Sequence, residues 1–249
     1  MEKHAQSAAE PVHGALVSVP DSVHPLLATV GHIARQLGMP AYAVGGCVRD
    51  WLLGIEKTTD LDVTVEGDGL AVARVAAATF NAAVTIHEQF GTATLAADAL
   101  RLDIATCRKE RYARPAAYPQ VSPGTLADDL RRRDFTINAM AVEISPERFG
   151  ALCDPYGGAR HLRAKQLRIL HPKSFLDDPS RILRGIRFVE RFQLRWERAT
   201  ERALREAVAQ GALGWLNAGR LHKELMRMTE EPHPRRCFRH LARLLRIAS

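Results

Sequence analysis

The spacing of apolar side chains changes once along this chain, and that change constrains its fold more than any other feature. Leu61, Val63 and Val65 alternate with Asp60, Asp62 and Thr64, the two-residue period of a strand buried on one face. Behind residue 174, Ile182, Leu183, Ile186 and Val189, then Leu221, Leu225 and Met228, recur at helical intervals. The front is therefore predicted to be a mixed sheet with helices on it, α/β or α+β, and the back all helical. A helix is expected over 22–38, closed by Gly38, with strands over 41–44, 60–65, 83–87, 92–96 and 101–106. Further helices are expected over 69–80 and through Trp51 to Leu53. Pro115, Pro119, Pro123 and Gly124 interrupt 108–127, which reads as one long loop. A domain boundary falls near residue 172, and residues 1–21 read as a flexible arm.

With 46% hydrophobic and 25% charged residues among 249, the chain has the composition of an ordinary soluble protein. No apolar run approaches the roughly 20 residues of a membrane helix, and the N-terminus lacks the basic start and apolar core of a secretory leader. Cys47, Cys107, Cys153 and Cys237 lie 60, 46 and 84 residues apart. Neither zinc ligands nor a dense disulfide framework is spaced that way, so reduced thiols and a cytoplasmic location are expected. Charge divides unevenly: residues 1–159 hold 14 Lys and Arg against 19 Asp and Glu, and residues 160–249 hold 21 against 9. An acidic front suits metal binding, and a basic back attracts a polyanion or forms a solvated helical face.

Asp60 and Asp62 stand two apart on a strand, so both carboxylates point to one face, and Asp103 occupies a later strand between Leu102 and Ile104. Three converging carboxylates suit two Mg²⁺ ions, which take oxygen ligands and share them with nucleotide phosphates. An isolated Asp-x-Asp is also common on solvated strand faces. Fourteen residues ahead of Asp60 lies the context, Val44-Gly45-Gly46-Cys47-Val48-Arg49-Asp50. Gly45 and Gly46 let backbone N–H groups approach phosphates, and Arg49 is a candidate triphosphate ligand.

Gly45-Gly46-x-Val48-Arg49-Asp50-x-Leu52-Leu53-Gly54 followed by Asp60-x-Asp62 resembles the class II tRNA nucleotidyltransferase and bacterial poly(A) polymerase family. The run from Asp129 to Ala139, with Arg133, Asp134 and Asn138, resembles the family's second motif, which implies ribose recognition. Asp154-Pro155-x-Gly157-Gly158 resembles the third, at the hinge between head and neck. Phe175-x-Asp177-Asp178-Pro179-x-Arg181-x-Leu183-Arg184 resembles the fourth, in which Asp178 and Arg181 would read the incoming base. Asp177 replaces the family's usual Glu there. Asp178 and Arg181, three apart near a helix start, would share a face, and Arg181, Arg184, Arg187 and Arg191 form a basic stripe able to track phosphates.

The resemblance implies an α+β catalytic head over 22–172 and a helical neck over 173–249 that stops short of the family's body and tail. It implies Mg²⁺ held by Asp60 and Asp62, help from Asp103 in activating an RNA 3′-hydroxyl, and transfer of CMP or AMP from CTP or ATP to the tRNA 3′ end. Nucleotide contacts would come from Gly45, Gly46, Arg49, Arg133, Asp134, Asn138, Asp178, Arg181, Arg184 and Arg187. RNA contacts would come from Arg108, Arg111 and Arg191. Glu88 to Leu95 is similar to the tRNA enzymes rather than the poly(A) type, and Arg108 to Val121 resembles the loop used to add the terminal A. CCA-adding and A-adding activities both stay open. A poly(A) polymerase, a small-molecule nucleotidyltransferase and an RNA-binding module with an inactive head are the rival readings; neither a membrane nor an obligatory protein partner is indicated.

Overall fold

The computed structural model describes residues 15–57, 60–97 and 100–246. The chain divides into two compact units, residues 1–107 with 139–157, and residues 108–138 with 158–249.

The first unit opens with helix α1 (His24–Gln36), started by Pro25 in its first turn, where a missing N–H costs nothing. Strand β1 (Ala41–Val44), helix α2 (Gly46–Leu52), strand β2 (Asp60–Val65) and helix α3 (Gly69–Phe80) follow, then β3 (Ala83–His87), β4 (Thr92–Ala97) and β5 (Leu100–Thr106). After the hairpin β6 (Arg108–Arg111) and β7 (Gln120–Pro123) and helix α4 (Leu126–Arg131) of the second unit, β8 (Ala141–Glu143) and β9 (Leu152–Cys153) complete the sheet. Its order is β3-β4-β5-β2-β1-β8-β9. The β2–β5 pair is parallel and the other pairs are antiparallel, so the sheet is mixed, as expected.

Side chains of one period build the core beneath the site. Leu61, Val63, Val65, Leu102 and Ile104 are buried, with Leu27, Val30, Ile33, Val72, Ala73 and Ala76 from α1 and α3. Each large aliphatic side chain withdrawn from water contributes roughly 1.5–3 kcal/mol. The helices lie very close: a Cβ on Gly31 would fall 1.7 Å from the Ile144 carbonyl oxygen, and one on Gly69 would fall 2.7 Å from the Ala105 backbone. Asp68 starts α3 by accepting from the Ala71 N–H, and Asn81 ends it with φ 48°. Residues 1–14 of the expected arm lie outside the described residues. From Ala15 onward the segment is held against the first unit, where Val17 N–H donates to Gly150 O, Leu152 N–H donates to Ala15 O, and Val17 and Val19 are buried.

In the second unit the predicted loop over 108–127 is not a loop. Arg108 to Arg111 pairs antiparallel with Gln120 to Pro123, and a reciprocal Thr125–Asp128 capping box begins α4 inside the same interval. Short strands of mostly exposed polar residues carry no apolar alternation, and Pro123 falls at a strand end, so local spacing gave no sign of the pairing. Next come α5 (Gly158–Arg163), β10 (Gln166–Leu167), α6 (Ser174–Asp177), α7 (Ser180–Phe192), β11 (Arg195–Trp196), α8 (Arg198–Ala209), α9 (Ala218–Thr229) and α10 (Pro234–Arg246). The expected helical pattern behind residue 174 holds, apart from β11, which pairs with β10 in parallel. Phe135, Phe175, Phe188 and Trp196 cluster with ring centroids about 6 Å apart.

Candidate active site

In the first unit, strand register gathers the predicted carboxylates. Asp60 and Asp62 are exposed on one face of β2, and parallel pairing sets Asp62 opposite Asp103 on β5. Antiparallel pairing sets Thr94 of β4 opposite Asp103 on the other side, and the Thr94 hydroxyl donates to Asp103 Oδ1. Arg101 forms an ion pair with Asp103 Oδ2 at 3.0 Å. The Arg101 pKa is raised by its hydrogen bond to Asp103, then by the Asp103 charge, with further contributions from Asp60 and Asp62. One guanidinium therefore feels all three carboxylates.

Among the described residues no three His, Cys, Asp or Glu side chains enclose a metal ion unaided. An ion of the magnesium type uses one or two protein carboxylates and completes its shell with water and substrate phosphate. Asp60 and Asp62 share the exposed face of β2, and Asp103 is oriented by Thr94 and Arg101, two residues with no motif to mark them.

Gly45, with φ 81° and ψ −121°, makes the turn from β1 into α2, and its N–H is held by Met140 O at 3.1 Å. That backbone is costly for any residue with a Cβ. Gly46 opens α2, and Arg49 beneath it is buried, donating from Nε to Asp50 Oδ1 at 2.9 Å. Arg49 lies inside the turn, with its charge shared by Asp50.

The second unit holds the other predicted residues, several in roles that spacing did not suggest. Asp134 Oδ1 accepts from Phe135 N–H and Asn138 Nδ2, and Oδ2 accepts from Arg184 Nε and Nη2 at 2.9 and 2.6 Å. Both oxygens are thus occupied, making Asp134 the group that fixes Asn138 and Arg184. Burial works to raise its pKa, but the Arg184 charge and these hydrogen bonds prevail and set it at about 2. A carboxylate with a depressed folded-state pKa stabilises fully above its unfolded pKa and loses that contribution as pH falls through the folded value. From the ordinary 3.8 to about 2, the stake is roughly 2 kcal/mol. Urea midpoints of the Asp134→Asn variant should therefore fall less steeply than those of the parent between about pH 4 and pH 2; equal slopes would show that Asp134 does not carry the dependence.

Arg133 donates to Asp129 Oδ2 at 2.9 Å and to Asn138 O at 3.5 Å, while its buried Nε has no hydrogen-bond partner. Asp178 and Arg181 do not share a helix face. Asp178 precedes α7 in extended conformation, whereas Arg181 is buried and donates to Ser174 Oγ and Arg132 O. The basic stripe is not realised either. Arg184 is paired to Asp134, Arg187 to Glu224 and Glu231, and Arg191 to Glu231. Arg108 pairs with Glu110 on β6, while Arg111 beside it is exposed. The carboxylate partners 37 to 50 residues away were missed because no local pattern links them. Arg220, also missed, donates to Asp178 and to Ala116 O.

A mixed sheet carrying Asp-x-Asp on the strand that follows a glycine turn and a short helix is the head of a nucleotidyltransferase. Residues 41–168 match the model of the poly A polymerase head domain, and the chain belongs to that family. It is 47% identical over 185 residues to an A-adding tRNA nucleotidyltransferase of Aquifex aeolicus, covering 74% of this chain and 22% of that protein. With the A-adding tRNA nucleotidyltransferase of Halalkalibacterium halodurans it shares 42% over 224 residues, covering 87% of this chain and 51% of the other. Among solved structures, an apo CCA-adding enzyme superposes with TM-score 0.85 at 43% identity, over 91% of this chain and 53% of that one. The chain thus spans about half the length of these relatives or less. Nucleotidyltransferases of this family work with divalent metal ions. Among the described residues no helix is long and apolar enough to cross a membrane.

Proposed function

We propose that this chain carries the catalytic head (22–172) and neck (173–249) of a cytoplasmic, template-independent enzyme that transfers AMP, or CMP and AMP, from ATP or CTP to the 3′ end of tRNA. The carrying observation is the register of β2 against β5, which sets Asp62 beside Asp103 with Asp60 two residues away on the same face. Asp60 and Asp62 would hold Mg²⁺, which would supply neutralisation of charge on the triphosphate and a lowered pKa for the attacking hydroxyl. Asp103, oriented by Thr94 and Arg101, is placed to accept that proton. The turn made by Gly45, whose own N–H is held by Met140 O, presents Gly46 and Arg49 to the triphosphate.

Arg133 and Asn138 are assigned to the ribose, with Asp134 fixing Asn138 in place. Asp178 reads the base, and Arg184 and Arg181 hold its surroundings. Arg187 and Arg191 are assigned to the helical packing of the neck, leaving exposed Arg111 as the stronger candidate for RNA phosphate. The relatives named A-adding, at 47% and 42% identity, and the one named CCA-adding, at 43%, are about equally similar, so both activities need testing. Labelled tRNAs ending before CC, in CC and in CCA, plus an unrelated RNA, should be offered each nucleoside triphosphate separately. AMP incorporation only onto the CC end identifies terminal A addition; CMP incorporation onto the shorter end identifies full CCA addition. Equal incorporation into the unrelated RNA would overturn the tRNA assignment.

A further inference from the structure

Within the second unit, the turn that carries the ribose candidates is held from two sides, and the second hold comes from outside the four motifs. Thr136 to Asn138 forms a single 3₁₀ turn, buried throughout, with Asn138 N–H donating to Phe135 O at 3.0 Å. On one side Asp134 fixes the Asn138 amide, and Arg184 in turn fixes Asp134. On the other side stands His161 of α5, a ring only 4% exposed, whose Nδ1 lies 3.0 Å from the Thr136 hydroxyl. The Thr136 N–H donates to Arg168 O at 2.9 Å. Arg133, three residues ahead of Thr136, reaches the same turn by donating to Asn138 O.

The partners of the ring fix its proton. Arg160 Nη2 lies 3.4 Å from His161 Nε2 and can only donate, so Nε2 accepts and Nδ1 carries the hydrogen that the Thr136 oxygen takes. A neutral imidazole enters such an interior at far lower cost than a charged one. We propose that His161 is a positioning residue for sugar selection: through the Thr136 hydroxyl it sets where the 3₁₀ turn sits, and with it the distance of Asn138 and Arg133 from the 2′-hydroxyl of the incoming nucleotide. Three residues of 3₁₀ helix hold themselves weakly, so anchors outside the turn decide its place. A 2′-hydroxyl both donates and accepts, and hydrogen bonds weaken steeply with angle, so a displaced turn loses the contact that tells ribose from deoxyribose.

The inference rests on the assignment of Asn138 to the ribose, but its test needs neither tRNA nor turnover. Affinities for ATP and 2′-deoxyATP are measured by calorimetry for the parent chain, Thr136→Val, His161→Leu, His161→Asn, the Thr136→Val/His161→Leu double variant and Asn138→Ala. Thr136→Val, which keeps the shape of the side chain and removes only the hydroxyl, should weaken ATP about tenfold and leave 2′-deoxyATP unchanged. His161→Leu should do the same, and the double variant should be no worse than either single one, because both break one bond. His161→Asn, whose amide nitrogen stands near the place of Nδ1, should recover most of the preference for ATP. A ring that merely supports the fold would, when removed, weaken both nucleotides alike. That result, or additive losses in the double variant, would overturn the inference. Loss of the preference in Asn138→Ala but not in Thr136→Val overturns the role of His161 alone, whereas a preference that survives Asn138→Ala removes the ribose assignment and the inference with it.

Discussion

Asp60→Ala is expected to lower nucleotide incorporation by about 10³-fold or more, with no loss of stability. The two halves of that expectation have one cause. Asp60 is exposed at the start of β2, on the face it shares with Asp62, and Asp103 is the next carboxylate across the sheet. No hydrophobic neighbour is uncovered by its removal, and the like-charge repulsion among the three acids is relieved. In the proposed site Asp60 and Asp62 are the two protein ligands of the ion, so losing one weakens its hold where charge develops in the transition state. Labelled AMP incorporation and thermal melting, measured on the same preparation, check both halves. Incorporation within tenfold of the parent would remove Asp60 from the metal site, and a markedly lowered melting temperature would make it a structural residue.

Asp129→Ala is expected to cost about 3–5 kcal/mol of stability, the largest effect anticipated for any single side chain in the second unit. Its carboxylate is fully buried and takes Arg132 on Oδ1 at 2.8 Å and Arg133 on Oδ2 at 2.9 Å. Burial alone would raise its pKa, but the Arg133 and Arg132 charges outweigh that and hold it below the usual carboxylate range. Without Asp129, Arg133 would remain half-enclosed with no anion, and Arg132 would keep only Glu110. The asparagine variant should fare little better, since it places a donor against a guanidinium. Urea unfolding measures the loss; a cost below about 1 kcal/mol would mean that the arginines find other partners.

Much of the first unit was legible from adjacent residues, though not β8 and β9. Strands 41–44, 60–65 and 83–87 and the helix 69–80 fall at their predicted bounds. A half-buried strand and an amphipathic helix each write their period into adjacent residues, and Asn81 and Gly45 mark ends that only particular backbones can make. The facing of Asp60 and Asp62 followed from the same two-residue period. The hairpin of β6 and β7 was not legible, because its strands bury little and exist through pairing with each other. Nor was the fate of the arginines. Spacing along α7 shows that Arg184, Arg187 and Arg191 recur, but not that acids at 134, 224 and 231 neutralise them.

By itself, then, the sequence determined the period of each buried element, the motifs and the face on which Asp60 and Asp62 stand, all properties of residues within a few positions of one another. Tertiary structure alone decided which charges are spent on holding the fold and which are left for a ligand. That Asp103 lies beside Asp62, that Asp134 serves Arg184, and that Asp178 answers to Arg220 depend on contacts across 41 to 50 residues of chain. Such contacts form when burial brings distant elements together, and a buried charge, being costly alone, takes whichever partner the packing delivers.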